Sequence, residues 1–297
     1  MNSQKQIPLV VNISNNESKR FDSLIKEYRT KYIRTSSEIL QSILELDNSL
    51  LANLAQKRNA SEVILALRES VWAEYLKDEV VFNSILMKDL YKLLHTPKEI
   101  MDALIDEDFL TNNQDNLVDA IKAVCGEYSG YIFPYIYKLS LSNTQSRRSR
   151  AGKTFESIIY QIYNVLGYSY DSQNKVGRKM FDNAGLGKKV DSILPSIECF
   201  KQRRNKTIIG TMKTSLRERW QEVAEEIERT NIPEIHLLTC DEEISENKSD
   251  EMANHNITLV TYKWVAESEE LRNKKNIISF EDYLFDEIPN ILNYWNE

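Results

Sequence analysis

Apolar positions in the first half of the chain recur at helical spacing, whereas the second half contains short runs of apolar and β-branched residues. The helical spacing predicts helices over residues 16–32, 36–46, 60–77, 80–95, 98–105 and 115–125. Two more helices are expected, one over residues 153–166 and one over the segment that carries Glu226. The short runs predict strands near residues 168–170, 189–194, 206–213, 234–239 and 257–261. The predicted fold class is therefore α/β (α+β), a mixed sheet flanked by helices with a helical N-terminal subdomain.

This pattern predicts three consecutive segments. Residues 1–50 form a strand-helix-helix extension whose strand covers residues 7–13, residues 51–139 form a helical subdomain, and residues 140–297 form the sheet-containing core. A strand followed by two helices is typical of a ribbon-helix-helix DNA-binding unit. An ordinary helical hairpin remains the alternative, because no basic strand face is evident.

Composition excludes some classes of protein. The 297 residues carry a formal net charge of -7, which argues against indiscriminate coating of nucleic acid. Positive charge is nevertheless concentrated in residues 147–153 and 201–206, so a specific nuclease stays possible. The three cysteines lack the spacing of a zinc site. No apolar stretch approaches twenty residues, and we expect a cytoplasmic protein without membrane contact.

Candidate chemistry lies in the second half. Asp191 stands at the start of one predicted strand, Lys213 ends another, and Glu226 follows on a helix. Carboxylates are the oxygen ligands that Mg²⁺ prefers, and a lysine can contact a scissile phosphate and the attacking water. An acid and a lysine at strand ends are also common as solvated edge residues, so this pair alone does not establish a site.

A possible base-reading segment follows the lysine. Arg217, Glu218 and Arg219 stand at the predicted start of the helix that carries Glu226. Arginine can donate to both O6 and N7 of guanine, and glutamate can accept from the amino group of cytosine, so the segment suits G·C pairs in a major groove. The alternative is a solvated helix face on which these charges pair with one another.

Taken together, these residues match a family pattern. The sequence resembles the CCGG-family type II restriction endonucleases, in the branch of SsoII, PspGI and the EcoRII catalytic domain. The resemblance covers chiefly residues 140–230 and rests on the order Glu156, Asp191, Thr211-Met-Lys213-Thr-Ser, Arg217-Glu218-Arg219 and Glu226. It implies a PD-(D/E)xK nuclease fold in which the second acidic residue has moved from the strand to the following helix.

The resemblance also implies roles. Asp191 and Glu226 would bind Mg²⁺, Lys213 would act at the phosphate and the water, and Glu156 would be a supporting acid. Arg217, Glu218 and Arg219 would read neighbouring C·G pairs. This chain departs from the usual motif at two positions: Val190 replaces a proline and Thr211 replaces a carboxylate, so the site depends on Glu226. The neighbouring acids Glu222 and Glu225 are alternatives to Glu226.

Two further features fit the branch. Trp72 and Arg68 lie four residues apart on one helical face and resemble the pocket in which relatives stack an extruded nucleotide, although tryptophan in an apolar helix is often core. Gln145 resembles a residue that touches the minor groove. It lies in a predicted polar, basic loop over residues 142–153, which is either solvated or a set of phosphate contacts. Its candidate phosphate-binding residues are Arg147, Arg148, Arg150 and Lys153.

The predicted function is Mg²⁺-dependent cleavage of double-stranded DNA by a homodimer at a CCNGG or CCWGG type palindrome, with the central nucleotides extruded. A cognate DNA methyltransferase would be its functional partner. A repair nuclease without sequence reading and a DNA-binding transcriptional regulator with a decayed nuclease core remain alternatives.

Overall fold

The computed structural model describes residues 7–217 and 219–296. Helices occupy most of the first half of the chain. They are α1 (Asn15–Tyr32), α2 (Ser36–Leu46), α3 (Ser49–Ala52), α4 (Leu54–Lys57), α5 (Ala60–Leu93), α6 (His95–Leu104), α7 (Phe109–Asn112), α8 (Leu117–Tyr131) and α9 (Phe133–Val165). A short 3₁₀ segment, Gln114–Asn116, precedes α8.

Two long helices differ from the sequence predictions. The helices predicted over residues 60–77 and 80–95 are one helix, α5, because no glycine or proline interrupts residues 60–93. The polar loop predicted over residues 142–153 is wrong, because α9 runs through it. Its serines, arginines and alanine tolerate the helix, and a single interior glycine, Gly152, costs only about 1 kcal/mol.

The N-terminal region confirms α1 and α2 and corrects the strand. Residues 7–13 of the described chain contain no strand, and Leu9 and Val11 are exposed. An extended segment without a partner strand has nothing to satisfy its backbone groups and is not stable by itself. The described residues therefore give no support to a ribbon-helix-helix unit.

The second half is built on one six-stranded sheet. Its strands are β1 (Asp171–Ser172), β2 (Ser192–Leu194), β3 (Ile208–Lys213), β4 (Ile235–Thr239), β5 (Ile257–Thr261) and β6 (Ile277–Ser279), hydrogen-bonded in that order. The pairs β1–β2 and β2–β3 are antiparallel, and the strands from β3 to β6 are parallel. The strand predicted near residues 168–170 begins slightly later, and the three-residue β6 was not predicted.

Helices connect and cover these strands. They are α10 (Gln173–Val176), α11 (Arg178–Asn183), α12 (Ile197–Gln202), α13 (Arg219–Thr230), α14 (Glu246–Asn254), α15 (Lys263–Ala266), α16 (Phe280–Asp282) and α17 (Ile288–Asn296). A 3₁₀ segment, Arg204–Lys206, precedes β3, and a π-helical turn, Tyr283–Glu287, joins α16 to α17. The mixed sheet with flanking helices confirms the predicted fold class.

The chain divides into two compact units. Among described residues, the helical unit contains residues 7–35 and 72–150, and the sheet unit contains residues 36–71 and 151–296. This division does not follow the predicted boundaries after residues 50 and 139, because α5 and α9 each supply residues to both units. No helix within residues 7–217 and 219–296 is long and apolar enough to cross a lipid bilayer.

Candidate active site

Asp191 lies immediately before β2, where this strand runs antiparallel to β3. Its backbone N–H donates to the Gly210 carbonyl oxygen at 2.9 Å. Its Oδ2 atom accepts from the Met212 N–H at 2.6 Å and from the Thr211 hydroxyl at 3.2 Å. These bonds fix the carboxylate beside the C-terminal half of β3.

Lys213 completes this arrangement from the last position of β3. Its Nζ atom lies 3.5 Å from Asp191 Oδ2, and it donates to the Thr211 hydroxyl at 3.0 Å and to the Met212 carbonyl oxygen at 3.2 Å. Both charged side chains are largely buried, at 15% and 20% exposure. Thr211 carries no charge, but its hydroxyl links the ammonium of Lys213 to the carboxylate of Asp191.

Glu156 brings a second carboxylate from α9. Burial raises the pKa of the Glu156 carboxyl to about 7, and the negative charge of Asp191 adds to this shift. The positive charges of Lys213 and Lys153 offset part of this rise in the pKa of Glu156. The structure therefore brings Glu156, Asp191 and Lys213 close enough together for their charges to interact.

This raised pKa predicts a pH-dependent effect on stability. The folded protein retains a proton on Glu156 that the unfolded chain loses above the ordinary pKa of 4.5, so stability falls as pH rises from 4.5 through about 7. In metal-free protein at pH 8, we expect Glu156→Gln to increase the free energy of unfolding by about 1–3 kcal/mol. Urea denaturation at pH 8 and pH 4 measures the difference, which should vanish at the lower pH. The exposed Glu225→Gln is the control, and an equal gain at both pH values would contradict the prediction.

Glu226 is buried on α13 and occupies a socket of its own, formed by Gly187, Lys189 and Arg229. Its Oε1 atom accepts from the Lys189 N–H at 3.2 Å and lies 2.9 Å from Arg229 Nη2. A Cβ atom added to Gly187 would lie 1.3 Å from the same oxygen. The Glu226 carboxylate thus packs directly on the backbone of the loop that leads to Asp191.

The acids near Glu226 face other surroundings. Glu222, one turn earlier, forms an ion pair with the Lys189 ammonium, and this partner lowers the pKa of the Glu222 carboxyl. Glu225 is exposed. Of these three acids only Glu226 is buried, so α13 directs it towards the sheet.

The donor set of Glu156 and Asp191 suits a divalent cation. The charge of Asp191 adds to the rise in the Glu156 pKa that burial causes, and Lys213 offsets only part of this rise. Mg²⁺ is commonly bound by one or two carboxylates together with water and substrate phosphate. Within residues 7–217 and 219–296, no three histidine, cysteine, aspartate or glutamate side chains form a group suited to a metal ion. Glu226 is held by groups other than those that hold Asp191.

Arg217, the first residue of the predicted reading segment, lies in a turn between β3 and α13. Leu216 is fully buried, and its N–H donates to Asp241 Oδ2 at 2.8 Å. Arg217 follows with a φ of +35°, and α13 begins at Arg219. Glu218 lies outside the described residues. The anchored leucine and the unusual backbone at Arg217 place the two arginines at the start of the helix.

Both guanidinium groups of this turn are available to a ligand. The side chains of Arg217 and Arg219 are exposed. Among the residues that the structure describes, neither guanidinium has a hydrogen-bond or ion-pair partner. Glu222 forms its ion pair with Lys189, and the charge of Arg219 also contributes to the lowered pKa of the Glu222 carboxyl.

The basic residues predicted as phosphate contacts all lie on α9, in two different situations. Gln145, Arg148 and Lys153 are exposed. Arg147 forms an ion pair with Glu79, and Arg150 donates to the Arg34 carbonyl oxygen at 2.6 Å. Arg148 and Lys153 are thus more accessible to phosphate than Arg147 and Arg150.

Trp72 and Arg68 both lie on α5. Trp72 is 40% exposed, so it is not a core residue, and its ring lies 5.3 Å from that of Tyr75. Arg68 donates to the Tyr262 hydroxyl at 2.5 Å. The exposed ring fits a stacking role, whereas Arg68 already has a partner.

Sequence reasoning missed the residues that hold these groups in place: Gly187, Lys189, Arg229 and Asp241. Gly187 gave a usable signal, because it stands four positions before Asp191 in a chain with only eight glycines. Asp241 comes two residues after the predicted strand of residues 234–239, where polar groups often serve a site. Nothing in the sequence distinguishes Lys189 or Arg229 from other surface cations.

Two restriction endonucleases of known structure share this fold. Ecl18kI, solved metal-depleted in complex with uncleaved, modified DNA, is 29% identical, with a TM-score of 0.73 over 94% of this chain and 86% of that chain. PspGI, solved with substrate DNA, shares the fold at 21% identity and a TM-score of 0.53 over 97% of this chain and 99% of that chain. The fold and the acid–lysine site on β2 and β3 define a nuclease of the restriction endonuclease class.

Sequence comparison gives the family. Residues 127–284 match the model of the EcoRII C-terminal family. The type II restriction enzyme SsoII of Shigella sonnei is 33% identical over 267 residues, which cover 89% of this chain and 80% of SsoII. The chain belongs to the EcoRII C-terminal family and is a type II restriction endonuclease.

Proposed function

We propose that this endonuclease is a homodimer that cleaves double-stranded DNA at a CCNGG or CCWGG type palindrome with Mg²⁺. The observation that carries this proposal is the position of two exposed arginines, Arg217 and Arg219, four and six residues after Lys213. One continuous segment from β3 to α13 therefore joins the groups that would read bases to a group that would act on the backbone.

The chemistry of the arginines favours G·C pairs. A guanidinium can donate to O6 and N7 of one guanine, and two such contacts read two adjacent guanines. Glu218, by its carboxylate, would accept from a cytosine amino group. A two-fold dimer presents this set twice, which suits a palindrome with CC and GG halves.

The site residues divide the hydrolytic work. Asp191 and Glu156 would hold the cation, and Glu226 is the further ligand that the family resemblance implies. A divalent cation bound there would neutralise phosphate charge and acidify the attacking water. Lys213 holds a positive charge beside Asp191, where it can orient the water and stabilise charge on the phosphate. Without the cation the pKa of Glu156 is about 7, and a cation bound beside this carboxylate would favour its ionised form.

Base extrusion would account for the central position of the target. The ring of Trp72 is exposed and offers a stacking surface worth about 1–3 kcal/mol per base, which offsets part of the cost of unstacking. A restriction enzyme of this kind also requires a cognate DNA methyltransferase, which would protect the host DNA.

Digestion of DNA of known sequence with Mg²⁺, followed by mapping of the ends, tests the proposal. We expect ends only at CCNGG or CCWGG sites. Cleavage of a duplex that lacks such sites would show a nuclease without sequence reading, and metal-independent cleavage would remove the role of the cation.

Arg217→Ala tests the reading turn. We expect binding of cognate DNA to weaken by about 1–3 kcal/mol, because a base contact is lost, while binding of random DNA changes far less. Gel-shift titrations with both DNAs measure the two losses. Arg148→Ala, which removes an exposed cation of α9, should weaken both DNAs to a similar degree. Equal losses for Arg217→Ala would instead show that Arg217 contacts only phosphates.

A further inference from the structure

Two aromatic rings of α5 and two arginines of α9 pack together within the helical unit. The guanidinium of Arg147 lies 5.8 Å from the centroid of the Trp72 ring, and that of Arg150 lies 5.0 Å from the Tyr75 ring. The Trp72 and Tyr75 rings are themselves 5.3 Å apart and tilted by 30°. Trp72 remains 40% exposed and can still be reached by a ligand.

Glu79 determines the orientation of Arg147. This glutamate is only 3% exposed, and its two carboxylate oxygens accept from Arg147 Nε at 3.1 and 3.0 Å, with a further bond from Nη2. The Tyr75 hydroxyl donates to the same carboxylate at 2.6 Å. A buried carboxylate bonded to a planar guanidinium in this way restricts the guanidinium to one orientation.

An exposed tryptophan without such a neighbour can occupy several rotamers, and a base that stacks on it must first restrict them. A cation held over the ring favours one rotamer. Arg147 thus differs from a solvent-facing phosphate contact, because its Nε and Nη2 atoms both donate to Glu79. Arg68, the arginine that the sequence places four residues before Trp72, instead donates to the Tyr262 hydroxyl.

We propose that Arg147, held by Glu79, is a positioning residue that fixes the Trp72 ring for stacking against an extruded nucleotide base. This inference rests on the proposed base extrusion. Arg147 then contributes to base extrusion through Trp72 and contacts no phosphate.

The test uses full-length protein and cognate duplex with 2-aminopurine at the central position. The change in 2-aminopurine fluorescence on binding without metal reports the environment of that base. Wild-type protein gives the full change, and Trp72→Ala gives the value without the ring. We expect Arg147→Ala and Glu79→Gln to lose most of the difference between these two values.

Lys88→Ala is the control, since it removes an exposed cation of the helix that carries Trp72 and should leave the fluorescence unchanged. The salt dependence of binding separates the two roles. Loss of a phosphate contact reduces the slope of log K against log salt by about 0.9, which we expect for Arg148→Ala and not for Arg147→Ala. Arg147→Lys should behave like Arg147→Ala in fluorescence, because an ammonium cannot reproduce the forked contact with Glu79.

Wild-type fluorescence in Arg147→Ala, together with a reduced salt slope, would overturn the inference and leave base extrusion intact. Identical signals from wild type and Trp72→Ala would instead remove the proposed extrusion and the inference with it. Glu79→Gln replaces a buried charge, so circular dichroism and a melting curve check its fold. Arg147→Ala receives the same checks, because it leaves the buried Glu79 carboxylate without its ion pair. Arg147→Lys keeps the positive charge beside Glu79 and tests the inference if either of the other variants unfolds.

Discussion

Lys213→Ala is expected to reduce the single-turnover rate of cognate DNA cleavage by about 10²–10³-fold, the loss typical of removing one preorganised electrostatic group from an active site. The ammonium lies 3.5 Å from Asp191 and is largely buried, so solvent cannot replace it. Its removal also leaves the carboxylates of Asp191 and Glu156 without their shared positive neighbour. Asp191→Ala should cause a loss at least as large, because Asp191 is also a proposed cation ligand.

The rate is measured with enzyme in excess over a plasmid that carries one mapped site. Lys179→Ala, which removes an exposed lysine of α11, is the control for loss of charge and should cleave normally. Gel shifts without metal check that Lys213→Ala still binds cognate DNA. Substantial metal-dependent cutting by both the Lys213 and Asp191 variants would remove this pair from the mechanism.

Gly187→Ala is expected to reduce the same rate by about 10²-fold, although it alters no group that takes part in chemistry. The new methyl group would occupy the position of the Glu226 carboxylate, 1.3 Å from Oε1, and would lie 2.6 Å from the Arg229 guanidinium. Since both atoms cannot fit, the carboxylate must leave its bonds to Lys189 and Arg229. A displacement of this order is enough to spoil the alignment of a catalytic group.

Gly126→Ala is the matched control, because a Cβ atom there meets no heavy atom within 4 Å and the residue lies within α8. It should leave cleavage unchanged and slightly stabilise the helix. If Gly187 acts through Glu226, the double variant Gly187→Ala/Glu226→Gln should cleave little more slowly than Glu226→Gln alone. Additive losses, or normal cleavage by Gly187→Ala, would contradict this coupling.

The sequence was sufficient to predict the sheet apart from β6, and to place Asp191 and Lys213 at strand ends, because both depend on local patterns. The strand that ends at Lys213 is a mainly apolar run, and Asp191 begins the next such run upstream. The antiparallel pairing of β2 with β3 is then enough to bring Asp191 and Lys213 together. The family resemblance supplied the choice of Glu226 over Glu222, which spacing left open and which burial now favours.

The sequence was insufficient where long-range contacts decide the structure. The basic segment of residues 142–153 has the composition of a loop, but it lies within the continuous helix α9. Arg147 could not be distinguished from Arg148 in sequence, because its partner Glu79 lies 68 positions away. The socket of Glu226 likewise depends on Gly187 and Lys189, which meet α13 only after folding.

The turn that carries Arg217 follows the strand that ends at Lys213 and leads into α13, the helix that carries Glu226. A protein engineer who substitutes residues 217–219 to obtain a new target would therefore disturb the spacing of the cutting groups. We expect such substitutions to lower the rate of DNA cleavage before they change the preferred base pairs. Substitutions intended to change the target should instead begin at Gln145 or Trp72 of the helical unit, which lie outside the segment between Lys213 and Glu226.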